Sequence, residues 1–90
     1  MVHIELYGVP RLRAGTARLA VEGGSVGEAL AALARACPGL AGSVLETQGG
    51  LGRVHRAYRL SLNGDRFVSD PTTPLAEGDT LLLLAADVGG

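Results

Sequence analysis

The segment from Ser25 to Cys37 constrains the fold most, because its pattern is that of a single amphipathic helix. Its apolar residues recur at helical i, i+3, i+4 spacing: Val26, Ala29, Leu30, Leu33 and Cys37. Ser25 and Glu28 fit a capping box, in which Ser25 accepts from the Glu28 amide and Glu28 reaches back to the Ser25 amide. Pro38-Gly39 ends the helix. The sequence therefore predicts one main helix, from Ser25 to Ala36 or Cys37, whose apolar stripe needs a covering layer.

Segments that alternate apolar and polar residues predict strands on both sides of this helix. An antiparallel hairpin is predicted before it, and a pair of strands joined at Asn63-Gly64 after it. A last apolar run follows the turn signal Glu77-Gly78-Asp79. The predicted strands are Val2–Tyr7, Thr16–Glu22, His55–Leu62, Arg66–Val68 and Leu81–Leu84.

Three connections are predicted to be irregular. Gly8 to Gly15 is expected to be a loop, and Leu40 to Leu45 a short helical turn. Thr47 to Gly52 is glycine-rich but lacks the Gly-Lys-Ser/Thr ending of a phosphate-binding loop, and no strand leads into it. We interpret it as a flexible loop.

One helix can cover one face of a single sheet, which gives a two-layer α+β arrangement. If the last strand lies parallel to the first, it occupies the centre of the sheet. Leu81 and Leu83 would then face the helix, and Leu82 and Leu84 would lie on the open face. Exposed apolar residues on a central strand favour a docking patch, with Arg59 beside it.

Composition excludes several functions. A net charge of −1 and three aromatic residues argue against nucleic-acid binding. No apolar stretch is long enough to span a membrane, and no secretory signal is present. The single cysteine, Cys37, excludes an intramolecular disulfide and favours a cytoplasmic, reducing compartment.

No residues form a nucleophile–base pair or a metal cluster, so the chain is not expected to be an enzyme or to bind a metal. His3 stands alone on the polar side of a strand, and Cys37 on the buried stripe is interpreted as a structural thiol. Arg53, His55, Arg56 and Arg59 form a basic cluster, interpreted as a solvated face.

The chain ends in Val88-Gly89-Gly90. Without Cβ atoms, Gly89 and Gly90 can adopt conformations and enter spaces closed to other residues. Taken alone, the dipeptide is equally compatible with an ordinary frayed terminus.

The whole chain resembles the MoaD/ThiS family of ubiquitin-like sulfur carriers. The resemblance rests on four segments at the family's spacing: Ser25-Val26-Gly27-Glu28-Ala29-Leu30, Leu62-Asn63-Gly64, Thr73-Pro74-Leu75-Ala76-Glu77-Gly78-Asp79 and Val88-Gly89-Gly90. It implies a β-grasp fold, a mixed sheet of four to five strands packed on one main helix. The expected organisation is a single domain over residues 1–90 with a flexible tail, 86–90.

The resemblance also implies a function. An E1-like adenylyltransferase of the MoeB/ThiF type would adenylate Gly90 with ATP, and a sulfur donor would then leave a thiocarboxylate there. Gly89 would let the tail reach the nucleotide, and Leu82, Leu84, Arg59 and Val88 would bind partners. The protein itself would hold no cofactor. The acceptor would be an enzyme such as the molybdopterin synthase large subunit.

Two observations keep other readings open. Ala85-Ala86-Asp87 replaces the prolines of many family tails, and the glycine-rich loop followed by His55-Arg56 resembles carriers for cysteine biosynthesis. Molybdopterin synthesis is thus the preferred pathway, with cysteine or thiazole synthesis as alternatives.

Two other functions compete with that of a sulfur carrier: a protein modifier and a plain β-grasp binding module. Because the chain has no lysine, side-chain-linked polymers of it are excluded.

Overall fold

The computed structural model describes Met1–Ala86. In chain order its elements are β1 (Val2–Leu6), α1 (Val9–Ala14), β2 (Arg18–Val21), α2 (Val26–Ala36), a 3₁₀ turn (Pro38–Leu40), β3 (Leu45–Gln48), β4 (Leu51–Val54), β5 (Tyr58–Leu62), β6 (Arg66–Val68) and β7 (Thr80–Ala85).

The main sheet has the strand order β2-β1-β7-β5-β6. Strand β7 is parallel to β1 and antiparallel to β5, so the last strand is central, as predicted. Leu81 pairs with Ile4 on one side and Leu62 on the other. This register places alternate residues of three neighbouring strands on the same face.

Helix α2 covers one face of this sheet, and its predicted apolar stripe is confirmed as buried. Leu33 is fully buried, and Leu81 and Leu83 of β7 face it from the sheet, also fully buried. The remaining core residues are Val2, Ile4, Leu6, Val21, Val26, Ala29, Leu30, Cys37, Leu40, Val44, Leu45, Leu60 and Leu62.

The cap of α2 differs from the predicted capping box by one residue. The Ser25 Oγ accepts from the Glu28 amide at 3.2 Å, as expected. The Glu28 carboxylate, however, accepts from the amide of Gly24 at 2.9 Å rather than from Ser25. Ser25 also forms a backbone bridge with Pro74, in which the Val26 amide donates to the Thr73 carbonyl at 2.9 Å and the Leu75 amide to the Gly24 carbonyl at 3.0 Å.

The predicted loop from Gly8 to Gly15 was wrong in part, because it contains helix α1. Proline occupies its first turn, where the missing N–H costs nothing. Gly15 closes the helix in the left-handed region, with φ of 76°. Six residues are too few for a helix to show its periodicity, so only the Pro and Gly signals were available.

The predicted flexible loop from Thr47 to Gly52 was also wrong. It forms most of an antiparallel hairpin, β3–β4, separate from the main sheet. Gly49 and Gly50 make its turn with φ of 61° and 79°, the backbone of a type I′ turn. The helical turn expected at Leu40–Leu45 lies earlier, at Pro38–Leu40, and Leu45 already begins β3.

The hairpin at Asn63-Gly64 is confirmed, with φ of 57° and 73° at these residues. Strand β5 starts at Tyr58, so His55 lies in the preceding turn rather than in the strand. That turn meets the end of β7, where the Ala86 amide donates to the Ala57 carbonyl.

Candidate functional site

The open face of the sheet, opposite α2, carries one apolar strand between polar ones. A cross-strand row runs Arg18–Glu5–Leu82–Ser61–Phe67, from β2 through the central β7 to β6. In the next row Leu84 lies opposite Arg59. The structure thus places Leu82 and Leu84 on this face, both half-buried, and Arg59 beside them. Their predicted role in binding a partner stays a prediction.

Leu82 and Leu84 form the floor of an open groove of about 740 Å³. Its walls flank β7 on two sides, one formed by residues after β1 and the other by the start of β5, with the end of β7 between them. The wall residues are Tyr7, Gly8, Val9, Pro10, Ala57, Tyr58, Ala85 and Ala86. We call this the apolar groove. Sequence reasoning missed its α1 wall, because it treated residues 8–15 as a loop. The signal that could have revealed the wall was Gly8-Val9-Pro10, because a proline in the first turn favours a helix start.

The outer edge of this face pairs a cation with an aromatic ring. The Arg59 guanidinium carbon lies 5.1 Å from the centre of the Phe67 ring, within cation–π range. Phe67 is 57% exposed. The contact holds Arg59 against the sheet while leaving its charge accessible, which suits a residue at the rim of a docking surface.

A polar cluster borders the apolar groove on the β1 side. Arg18 forms an ion pair with Glu5, and the Tyr7 hydroxyl donates to the Glu5 carboxylate at 2.7 Å. This hydrogen bond, with some burial and the Glu5 charge, raises the pKa of Tyr7, while Arg18 opposes the rise. The positive charge of Arg18 balances the negative charge of Glu5, so this side of the open face carries no net charge from the pair.

The chain leaves the sheet at the end of the apolar groove. The amide of Ala86 donates to the carbonyl of Ala57 at 2.8 Å, which ties the last described residue to the turn before β5. Val88, Gly89 and Gly90, the predicted partner-binding and reactive residues, lie outside the described residues, as does most of the predicted flexible tail. The described chain therefore ends beside the turn that precedes β5, at one end of the apolar groove.

The predicted basic cluster divides between two faces. Arg59 lies on the open face, whereas Arg53, His55 and Arg56 line a separate cleft on the helix side of the sheet. Strand alternation and the turn before β5 cause this division, since Tyr58–Leu62 alternates and His55 precedes it.

The other singled-out residues take structural positions. Cys37 is buried at the end of α2, and burial raises the pKa of its thiol, which makes it a poor nucleophile. His3 pairs with Ala20 and Thr80 on the open face. Among residues 1–86, no cluster of three metal-ligating side chains occurs, and no helix is long and apolar enough to cross a membrane.

No protein-family model and no curated protein matches the chain in sequence. Similar solved structures exist. SAMP1 from Haloferax volcanii is 28% identical, with a TM-score of 0.75, covering 99% of this chain and 98% of that one. The small archaeal modifier protein 1 of Methanosarcina acetivorans is 23% identical, with a TM-score of 0.78, covering 99% and 95%.

A chain of the BexX/CysO complex from Amycolatopsis orientalis is 21% identical, with a TM-score of 0.78 over 100% of both chains. These likenesses confirm the predicted fold class, a β-grasp, ubiquitin-like fold.

Proposed function

We propose that this β-grasp protein is a sulfur carrier whose reactive group is the carboxylate of Gly90. The observation that carries the proposal is the placement of β7. This central strand ends at Ala85, and the chain leaves the sheet at Ala86 beside an apolar groove on the only sheet face that α2 leaves open among residues 1–86. A partner seated in the groove would hold the chain where it leaves the sheet, four residues before Gly90.

The proposed chemistry needs no catalytic side chain from this protein. A carboxylate is a poor electrophile, so an E1-like enzyme first attaches it to the α-phosphate of ATP, and pyrophosphate leaves. A hydrosulfide ion from the sulfur donor then attacks the acyl carbon, AMP leaves with the electron pair of the broken C–O bond, and the new thioacid loses its proton to water. The product is a thiocarboxylate on Gly90. Gly89 and Gly90 suit this step because a tail without side chains can enter a narrow nucleotide site.

The apolar groove is the proposed seat of the activating enzyme. Leu82 and Leu84 offer an apolar centre and Arg59 a charged rim, the arrangement common in protein interfaces. Val88 would extend the contact along the tail. The acceptor that our sequence interpretation favours is a molybdopterin synthase large subunit, with enzymes of cysteine or thiazole synthesis as alternatives.

A protein modifier is the second candidate, and the named neighbours favour it. Two of the similar structures are of small archaeal modifier protein 1. A modifier would use the same activated Gly90 but would transfer it to amines of other proteins. Activation alone does not separate the two functions.

Intact-mass spectrometry separates them. Incubation with the host's E1-like enzyme, ATP and a sulfur donor is expected to replace one terminal oxygen by sulfur. Deletion of Gly90, or substitution of Gly89 by a bulky residue, should abolish the mass change without altering the fold; omission of ATP is the matched control. A persistent carboxylate form in the native host, with Gly90 found in isopeptide linkage to many proteins, would favour the modifier.

The acceptor is tested with the thiocarboxylated protein. Added to a molybdopterin synthase large subunit and its precursor substrate, it should revert to the carboxylate form as sulfur is transferred. Reversion only with a cysteine- or thiazole-forming enzyme would reassign the pathway and leave the carrier function intact.

A further inference from the structure

A second cleft lies on the helix side of the sheet, between the β3–β4 hairpin and the start of β5. It has a volume of about 350 Å³. Its floor is apolar and consists of Leu30, Val54 and Leu60. Its rim is polar and consists of Glu46, Arg53, His55, Arg56 and Ser69. We call it the basic cleft.

The charge of the basic cleft is positive. Arg53 and Arg56 are exposed, and no carboxylate within Met1–Ala86 lies at ion-pair distance from either guanidinium. Glu46 is the cross-strand partner of Arg53 and offsets one of the two charges. The positive charge of Arg56 is therefore not balanced by a carboxylate of the cleft. His55 adds hydrogen-bonding capacity, since its Nδ1 accepts from the Ala57 amide at 3.4 Å and leaves Nε2 to donate outward.

The basic cleft and the apolar groove meet at a single turn. The His55 amide donates to the Val44 carbonyl at 2.8 Å, and the Tyr58 amide to the His55 carbonyl at 2.9 Å. The first bond ties the turn to the residue before β3, and the second closes the turn at the start of β5. Ala57, in the middle of this turn, lines the apolar groove and accepts the hydrogen bond from Ala86.

We propose that the basic cleft binds carboxylate side chains of the activating enzyme. The enzyme would then contact the protein on both faces of the sheet, through this cleft and through an apolar side chain in the groove, on either side of the point where the chain leaves β7. The inference rests on the proposed function, because it names a second contact of the same partner. Two contacts would bind the partner more tightly than one, and a positive rim accelerates encounter with an acidic surface.

The test is the carrier-dependent ATP–pyrophosphate exchange of the host's purified E1-like enzyme. The double variant Arg53→Glu/Arg56→Glu should raise the KM for the carrier roughly tenfold and leave kcat nearly unchanged, since rim charges act mainly on encounter. Added salt should raise the KM of the wild-type protein and change that of the variant much less, because salt screens exposed charges.

Arg35→Glu/Arg66→Glu is the matched control, with the same change of net charge at exposed arginines outside both sites. Arg66 lies on β6 opposite Leu62, at the far end of β5 from the tail exit. Thermal unfolding verifies that each variant is folded. The inference is overturned if the control raises KM as much as the cleft variant, or if neither does. Absence of exchange with the wild-type protein would instead overturn the proposed function.

Discussion

At the residue scale, Asp79 organises the turn that leads into β7. Its carboxylate accepts from the Ala76 amide at 2.8 Å and from the Asn63 side chain at 3.1 Å. Asn63 in turn accepts from the Thr80 amide at 2.8 Å, so the two side chains join the β5–β6 turn to the base of β7. The bond from Ala76, and then that from Asn63, lowers the pKa of Asp79 below its ordinary value of 3.8.

This shift gives a pH-dependent stability. Because the pKa is lower in the folded than in the unfolded chain, the contribution of Asp79 is fully present above pH 3.8. It is lost as the pH falls through the lower folded value. Asp79→Asn should therefore reduce stability at neutral pH and flatten the loss of stability in acid, measured by urea unfolding across that range.

Asp65→Asn is the control, since the Asp65 side chain makes no hydrogen bond within residues 1–86. It should keep the wild-type acid profile. The pKa of Asp70 is also lowered, by its bonds from the Thr72 hydroxyl and amide, so some acid dependence should remain in the Asp79 variant. An unchanged profile in Asp79→Asn would show that the carboxylate does not stabilise the turn.

At the element scale, stability depends on α2 packing on the sheet. Leu33 is fully buried against it, and removing its methyl groups leaves a cavity that small domains close poorly. Leu33→Ala should cost about 2–5 kcal/mol in the free energy of unfolding, measured in urea. Leu12→Ala, at an 81% exposed position of α1, should change it by less than about 0.5 kcal/mol. Equal effects of the two would contradict the packing.

The β3–β4 hairpin depends on a glycine that touches this helix. A Cβ at Gly52 would lie 2.7 Å from the Leu30 Cβ and 2.8 Å from the Ala31 amide nitrogen. Gly52→Ala should therefore push the hairpin from α2 and cost roughly 1–3 kcal/mol. Gly24→Ala is the control, because its Cβ would meet only the flexible Glu28 carboxylate at 3.4 Å. Similar melting temperatures for both variants would mean that the hairpin is not pressed on the helix.

At the scale of the whole molecule, β7 serves two purposes through its alternating side chains. Leu81 and Leu83 complete the core, and Leu82 and Leu84 floor the apolar groove. Neighbouring residues of one strand should thus respond differently to the same substitution.

Leu82→Ser should leave the melting temperature nearly unchanged and weaken the complex with the activating enzyme, because apolar anchors carry most interface energy. Leu83→Ser, one residue along, should unfold or strongly destabilise the protein, because it places a hydroxyl in the core. Calorimetry of unfolding and of binding measures the two effects. If Leu82→Ser destabilises the fold as much as Leu83→Ser, the faces of β7 are exchanged.

The sequence by itself determined the elements whose signals are local. The helical spacing from Val26 to Cys37, the alternation in the strands and Asn63-Gly64 predict structure within a few residues, so these elements were found correctly. Alternation also predicted which faces Leu81–Leu84 present, since period 2 leaves only two registers.

Tertiary structure alone decided the remaining features, because they depend on contacts between residues distant in sequence. Residues 47–52 form a hairpin because α2 offers a surface on which the backbone of Gly52 can lie. Helix α1 becomes a groove wall only where β7 ends beside it. The turn that separates Arg53, His55 and Arg56 from Arg59 lies against the end of β7, where the Ala57 carbonyl meets the Ala86 amide. No pattern along the chain encodes that meeting, and it is this contact that sets where the tail leaves the fold.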